Sequence, residues 1–82
     1  MDYASGYFNN ISMRKNAKLP KILGKRIQKA RKSIGLTQEQ LAEKINVSRA
    51  YVGYIEQARN TPSLELLEKI AKILKVSIKD LF

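Results

Sequence analysis

The chain has 82 residues and a formal net charge of +9, a size that allows one small domain with a single modest core. It has no cysteine and no histidine, which excludes disulfides and any Cys- or His-based nucleophile–base pair, and leaves zinc without its preferred ligands. The remaining serines and acids form no paired catalytic pattern, so the expectation is a non-enzyme with no catalytic residue, metal, cofactor or small-molecule ligand.

Residues 1–18 mix Asn, Ser and Gly with Tyr3, Tyr7, Phe8 and Ile11 and show no helical or strand period. They read either as a flexible arm or leader, or as a basic arm that lays Arg14, Lys15 and Lys18 along a nucleic-acid backbone or into a minor groove. The opening MDYASGYFNN lacks the basic start and apolar run of a signal peptide. Lysines interrupt every apolar stretch well short of the ~18 residues of a membrane span, so a cytoplasmic protein without membrane attachment is expected.

Charge is unevenly placed. Residues 1–36 hold nine Lys/Arg against Asp2 alone, a net +8, whereas residues 37–82 hold seven Lys/Arg against six acids, a net +1. A basic third on a nearly neutral remainder is the footprint of a polyanion binder; a Lys-rich surface kept for solubility is the alternative.

From residue 19 the chain reads as helices. Pro20 suits the first turn of a helix, where its missing N–H costs nothing, and Ile22, Leu23, Ile27, Ala30 and Ile34 follow at helical spacing. Gly35 predicts a left-handed cap, with Leu36 folded back on the last turn. Thr37-Gln38-Glu39-Gln40 is a capping box that opens a second helix burying Leu41, Ala42 and Ile45. Asn46, which tolerates a left-handed backbone, ends it. Ser48 caps a third helix that buries Val52 and Ile55 and runs to about Gln57. Thr61-Pro62-Ser63 breaks the chain, and Ser63 caps a fourth helix whose inner stripe is Leu64, Leu67, Ile70, Ala71 and Leu74. Ser77 to Asp80 repeats a cap pattern before a short fifth helix with Leu81 and Phe82. The expected fold is all-α, a compact five-helix bundle, with a domain over residues 19–82.

Residues 37–55 carry the functional signal. Two short amphipathic helices meet through a tight turn, with Ala42 small where they cross, and the second keeps Arg49, Ala50, Gly53 and Tyr54 on an outer face. A helix hairpin kept only for its core would not require Gln38, Ser48 and Arg49 gathered near two helix N-termini, which suit anions. This is the pattern of a helix-turn-helix whose second helix can enter a major groove.

Through LGKRIQKAR, GLTQEQLA, VSRAYVGYIE, TPSLELLEKIAKIL and VSIKDLF, in that order from Leu23 to Phe82, the chain resembles the phage repressor and Cro, or Xre-type, helix-turn-helix regulators. The resemblance implies a lambda-repressor-like bundle and a set of contact positions on double-stranded DNA. Gln38 matches a phosphate-contacting position. Ser48, Arg49, Ala50, Gly53 and Tyr54 match positions facing the bases or the adjacent backbone, with Arg49 the best candidate for a guanine edge. Tyr51 either reaches a phosphate or packs at the helix edge, and Arg59 and Asn60 match backbone contacts. Arg31 and Glu56 match a buried ion pair joining the first and third helices. Ala58, Asn46 and Lys75 stand where relatives often have Gly; a left-handed backbone at Ala58 would be strained and puts the assignment of Arg59 and Asn60 in doubt.

The function the resemblance implies is that of a sequence-specific transcriptional regulator, a repressor on a palindromic operator. It would act as a homodimer with half-sites ~34 Å apart. Leu66, Ile73 and Phe82 are dimer-interface candidates, or close the edge of the core. The competing expectation is a protein-interaction module, an antitoxin or adaptor on the same scaffold, docking through Tyr3, Tyr7 and Phe8.

Overall fold

The computed structural model of the protein describes residues 11–82, with side chains from Pro20 onward. Four α-helices, α1 (Ile11–Ser33), α2 (Gln38–Ile45), α3 (Arg49–Glu56) and α4 (Leu64–Leu74), are followed by one 3₁₀ turn (Ile78–Leu81). The described residues contain no strand, and the all-α expectation holds.

Two boundaries differ from the sequence reading. The fifth element is a single 3₁₀ turn: Ser77 N–H donates to Asp80 Oδ2 (3.1 Å), and only four residues follow before the C-cap, Phe82. At the other end α1 begins at Ile11, so Pro20 lies inside it and the backbone carrying Arg14, Lys15 and Lys18 is helical. Met13, Arg14, Lys15, Ala17, Lys18 and Leu19 are all good helix formers. Pro20 cannot donate to the carbonyl four residues back, and the helix continues past that missing bond. Tyr3, Tyr7 and Phe8 lie outside the described residues.

The four helices end alike. Gly35, Asn46, Ala58 and Lys75 all take the left-handed conformation, with φ of 77°, 62°, 64° and 63°. Each N–H reaches the carbonyl three residues back, while the next residue's N–H reaches five back: Leu36 to Arg31, Val47 to Ala42, Arg59 to Tyr54 and Val76 to Ala71, at 2.8–3.1 Å. This paired bonding satisfies carbonyls that a bare helix end would leave open. Leu36, Val47 and Val76 then pack on the core, completing the cap with an apolar contact. After α3 the equivalent residue is Arg59, which stays exposed.

Leu23, Ile27, Leu41, Ala42, Ile45, Val52, Ile55, Leu67, Ile70, Ala71, Leu74 and Leu81 form one buried cluster. Leu81 anchors the 3₁₀ turn, which packs against α1 and α4. Three residues expected in the core are exposed: Ile22 at 40%, Ile34 at 41% and Leu64 at 63%. Ile22 is one helical step off the Leu23–Ile27 line, Ile34 follows the last residue of α1, and Leu64 is the first residue of α4.

Gly24 explains how α1 sits on α3. A Cβ there would lie 2.5 Å from the carbonyl oxygen of Ile55 and 2.8 Å from that of Glu56, so the two helices approach backbone to side-chain-free backbone. No sequence signal marked this glycine, because its neighbours in the chain do not reveal which helix crosses it.

Candidate nucleic-acid interface

The capping box forms as expected: Gln40 N–H donates to Thr37 Oγ1 (3.0 Å) and Thr37 N–H to Gln40 Oε1 (2.8 Å). It fixes the backbone at Gln38, the first residue of α2. Asn46 makes the turn, Ser48 Oγ accepts from Tyr51 N–H (3.1 Å), and α3 starts at Arg49. Val52 and Ile55 hold the inner side of α3, which leaves Arg49, Ala50 and Tyr54 exposed, with Ser48 beside them.

Other expected contact positions sit differently. Gly53 is buried, and a Cβ on it would touch the Gln38 amide at 3.9 Å, so it forms the floor beneath Gln38 rather than part of the exposed surface. Tyr51 is half-buried and packs against the core. Arg59 and Asn60 are exposed in the loop after α3. The Arg59 guanidinium lies over the Tyr54 ring, 5.5 Å from its centroid, within the range of a cation–π contact. Leu66 and Ile73 are half-buried against the core, while Phe82 is 44% exposed.

The buried pair is present. Arg31 Nε donates to Glu56 Oε2 at 2.7 Å and Arg31 Nη2 to Glu56 Oε1 at 3.0 Å, a two-pronged bond of the strong kind. Arg31 Nη1 also donates to the Leu36 carbonyl (2.7 Å), tying the end of α1 to the cap that follows it. The side chains are 7% and 1% exposed. Arg31 is therefore an internal strut, and the charge available on α1 comes from its other cations.

The network extends outward from there. Gln38 Nε2 donates to Glu56 Oε1 (3.0 Å), and Gln38 Oε1 accepts from Arg49 Nη1 (2.9 Å). A continuous path thus runs from the core, Arg31 to Glu56 to Gln38, and emerges at Arg49. The sequence reading marked all four residues but gave no sign that Gln38 joins the Arg31–Glu56 pair to Arg49.

Basic residues adjoin this surface. Lys21, Lys25, Arg26, Lys29 and Lys32 are exposed on α1, which carries no acidic residue. Lys21 and Lys25 line a shallow cleft with Glu56, Gln57 and Ala58 at the end of α3, next to the loop bearing Arg59 and Asn60. Among the described residues there is no group of three metal-ligating side chains, and no helix is long and apolar enough to cross a membrane.

The family model for helix-turn-helix proteins, HTH_3, matches residues 27–81. The chain belongs to this Xre-type helix-turn-helix family. It is 42% identical over 57 residues to an HTH-type transcriptional regulator of Archaeoglobus fulgidus, covering 70% of this chain and 81% of that protein. It is 48% identical over 56 residues to the immunity repressor protein of Bacillus phage phi105, covering 68% of this chain but only 39% of the repressor. Among solved structures it is similar to SinR, a regulator of Bacillus subtilis, described as the master regulator for biofilm formation, in complex with DNA. That match has a TM-score of 0.67 and 40% identity over 72% of this chain and 95% of that one.

Proposed function

We propose that the chain is a DNA-binding transcriptional regulator, a repressor that inserts α3 into the major groove of a palindromic operator and binds it as a homodimer. The observation that carries this reading is the exposed face of Arg49, Ala50 and Tyr54 on α3, held on α2 by a buried core. A helix so presented can reach base edges, and an Arg fork matches the O6 and N7 acceptors of guanine. Arg59, Asn60 and the cations of α1 supply backbone neutralisation around it. Repression would follow from occupying a promoter site.

A single recognition helix reads few base pairs, which favours two half-sites about one turn, ~34 Å, apart. Exposed Phe82 and Leu64, with the edges of Leu66 and Ile73, offer apolar surface for the dimer contact.

Selection from a random duplex pool at near-physiological salt tests this. The expected product is a palindrome with half-sites one turn apart, bound by two chains in a sedimentation experiment. A pool without enrichment would overturn the reading and favour an interaction module docking through Tyr3, Tyr7 and Phe8.

A further inference from the structure

We infer that Tyr54 is a positioning residue for a phosphate contact: its ring holds the Arg59 guanidinium at the end of α3, where it meets the DNA backbone. The inference rests on the DNA-binding reading, and it gives Tyr54 a role through Arg59 in place of its own contact with the bases.

The four α-helices close with the same paired bonds, and in each the N–H of one residue reaches the carbonyl five back. An apolar contact commonly accompanies that geometry, and Leu36, Val47 and Val76 make it with the core. After α3 the position belongs to Arg59, whose N–H donates to the Tyr54 carbonyl (2.8 Å). Its side chain is exposed instead, and the guanidinium lies over the Tyr54 ring, 5.5 Å from the centroid. Tyr54 is itself 44% exposed. A cation–π contact on the solvent side thus stands where the other three caps have apolar burial. For the cap alone an apolar residue would do more, because it buries surface. A cation held at the surface suits an anionic partner.

Arg59 is restricted at both ends. The cap fixes its main chain, with Ala58 left-handed (φ 64°) just before it, and the ring holds its tip. The attraction acts between the ring face and the cation and spends none of the five N–H donors, which lie in the guanidinium plane. A phosphate can therefore take two of them without breaking the contact. A long side chain already held loses less rotamer freedom at an interface. Tyr54 follows Arg49 by five residues on α3, about 7.5 Å along its axis. The pair therefore ties a backbone contact to the base-reading end of the helix at a set spacing.

The test is a double-mutant cycle on the full chain. Wild type, Tyr54→Leu, Arg59→Ala and the double variant are titrated over a range of salt. Each meets the selected operator and an altered operator, changed at the base pair where Arg49→Ala relaxes preference. Leucine keeps a good helix former and an apolar stem but has no ring. Arg59→Ala should weaken binding to both duplexes alike and lower the salt slope by about 0.9, the share of one phosphate. Tyr54→Leu should weaken both alike by ~2- to 5-fold, the equivalent of an exposed cation–π contact. The double variant should bind no worse than Arg59→Ala alone. Tyr54→Phe, which keeps the ring face and lacks the hydroxyl, should bind as wild type does, and a cooperative thermal melt checks that each variant is folded. If Tyr54→Leu costs the same factor with and without Arg59, or Tyr54→Phe loses as much as Tyr54→Leu, Tyr54 touches DNA itself and the positioning role is wrong. It is equally wrong if Tyr54→Leu binds as wild type does, or shifts preference between the two duplexes. If Arg59→Ala changes neither affinity nor slope, Arg59 meets no phosphate, and the inference falls while the DNA-binding reading stands. A wild-type chain that enriches no duplex overturns that reading, and the inference with it.

Discussion

Glu56 is the residue on which most of the molecule's polar organisation converges. Its carboxylate accepts from Arg31 twice and from Gln38 once, in a place where water is excluded. Removing one member of such a pair leaves the other charged and buried, at a cost of roughly 3–5 kcal/mol. Glu56→Ala is therefore expected to lose stability by that order in urea unfolding. Gly24 poses the opposite problem. Alanine there gains about 1 kcal/mol of helix propensity, but its methyl would overlap two carbonyl oxygens of α3, and overpacking of this kind costs about 1–3 kcal/mol. Gly24→Ala should be net destabilising in the same assay, and a neutral result would mean that α1 can slide on α3. The Arg31–Glu56 pair was legible from the sequence through resemblance alone. Gly24 was not legible, since the need for glycine comes from a carbonyl more than thirty residues away in the chain.

At the scale of the helices, the shared C-terminal cap is the recurring device, and it was largely readable because it depends on neighbours in sequence. Gly35 and Asn46 announced it. Ala58 and Lys75 did so only as departures, being residues that do not favour the left-handed region they occupy at φ 64° and 63°. For Ala58 that conformation costs about 1–2 kcal/mol, partly offset by the lower chain entropy of unfolded alanine relative to glycine, about 0.4–1 kcal/mol. Ala58→Gly should therefore raise stability by about 0.5–1 kcal/mol by chemical denaturation. It should leave DNA affinity unchanged, because the loop carrying Arg59 and Asn60 keeps its shape. Asn46→Gly should gain little, as Asn already tolerates this backbone. Element ends were harder to read from apolar periodicity. Ile22, Ile34 and Leu64 fit the helical spacing yet face solvent, because periodicity describes one helix and says nothing of where its neighbours stop. The start of α1 was misplaced for a related reason: Pro20 favours a first turn, and the good helix formers before it outweighed that local preference.

Among the described residues, charge is unevenly placed. Lys21, Lys25, Arg26, Lys29 and Lys32 are exposed on α1, which has no acid, whereas on α2 and α4 and in the 3₁₀ turn the exposed acids Glu39, Glu43, Glu65, Glu68 and Asp80 are interleaved with the exposed lysines Lys44, Lys69, Lys72 and Lys79. Lys21 and Lys25 are one turn apart and flank the end of α3, so a duplex engaged by Arg49 and by the Arg59–Asn60 loop would bring its backbone close to both. Phosphate neutralisation carries no sequence information but gives a salt dependence, about 0.9 in the slope of log affinity against log salt for each phosphate contacted. Lys21→Gln together with Lys25→Gln should thus weaken binding alike on operator and altered operator, and lower that slope by up to about 1.8. Arg49→Ala should do the reverse, changing preference at one base pair with little effect on slope. These lysines also sit beside the carbonyl end of α3, where a cation stabilises the helix by about 0.3–1 kcal/mol. The two roles separate cleanly: a lower melting temperature with an unchanged salt slope would make Lys21 and Lys25 helix-end partners alone, while a reduced slope at preserved stability would extend the DNA-binding surface from α3 onto α1.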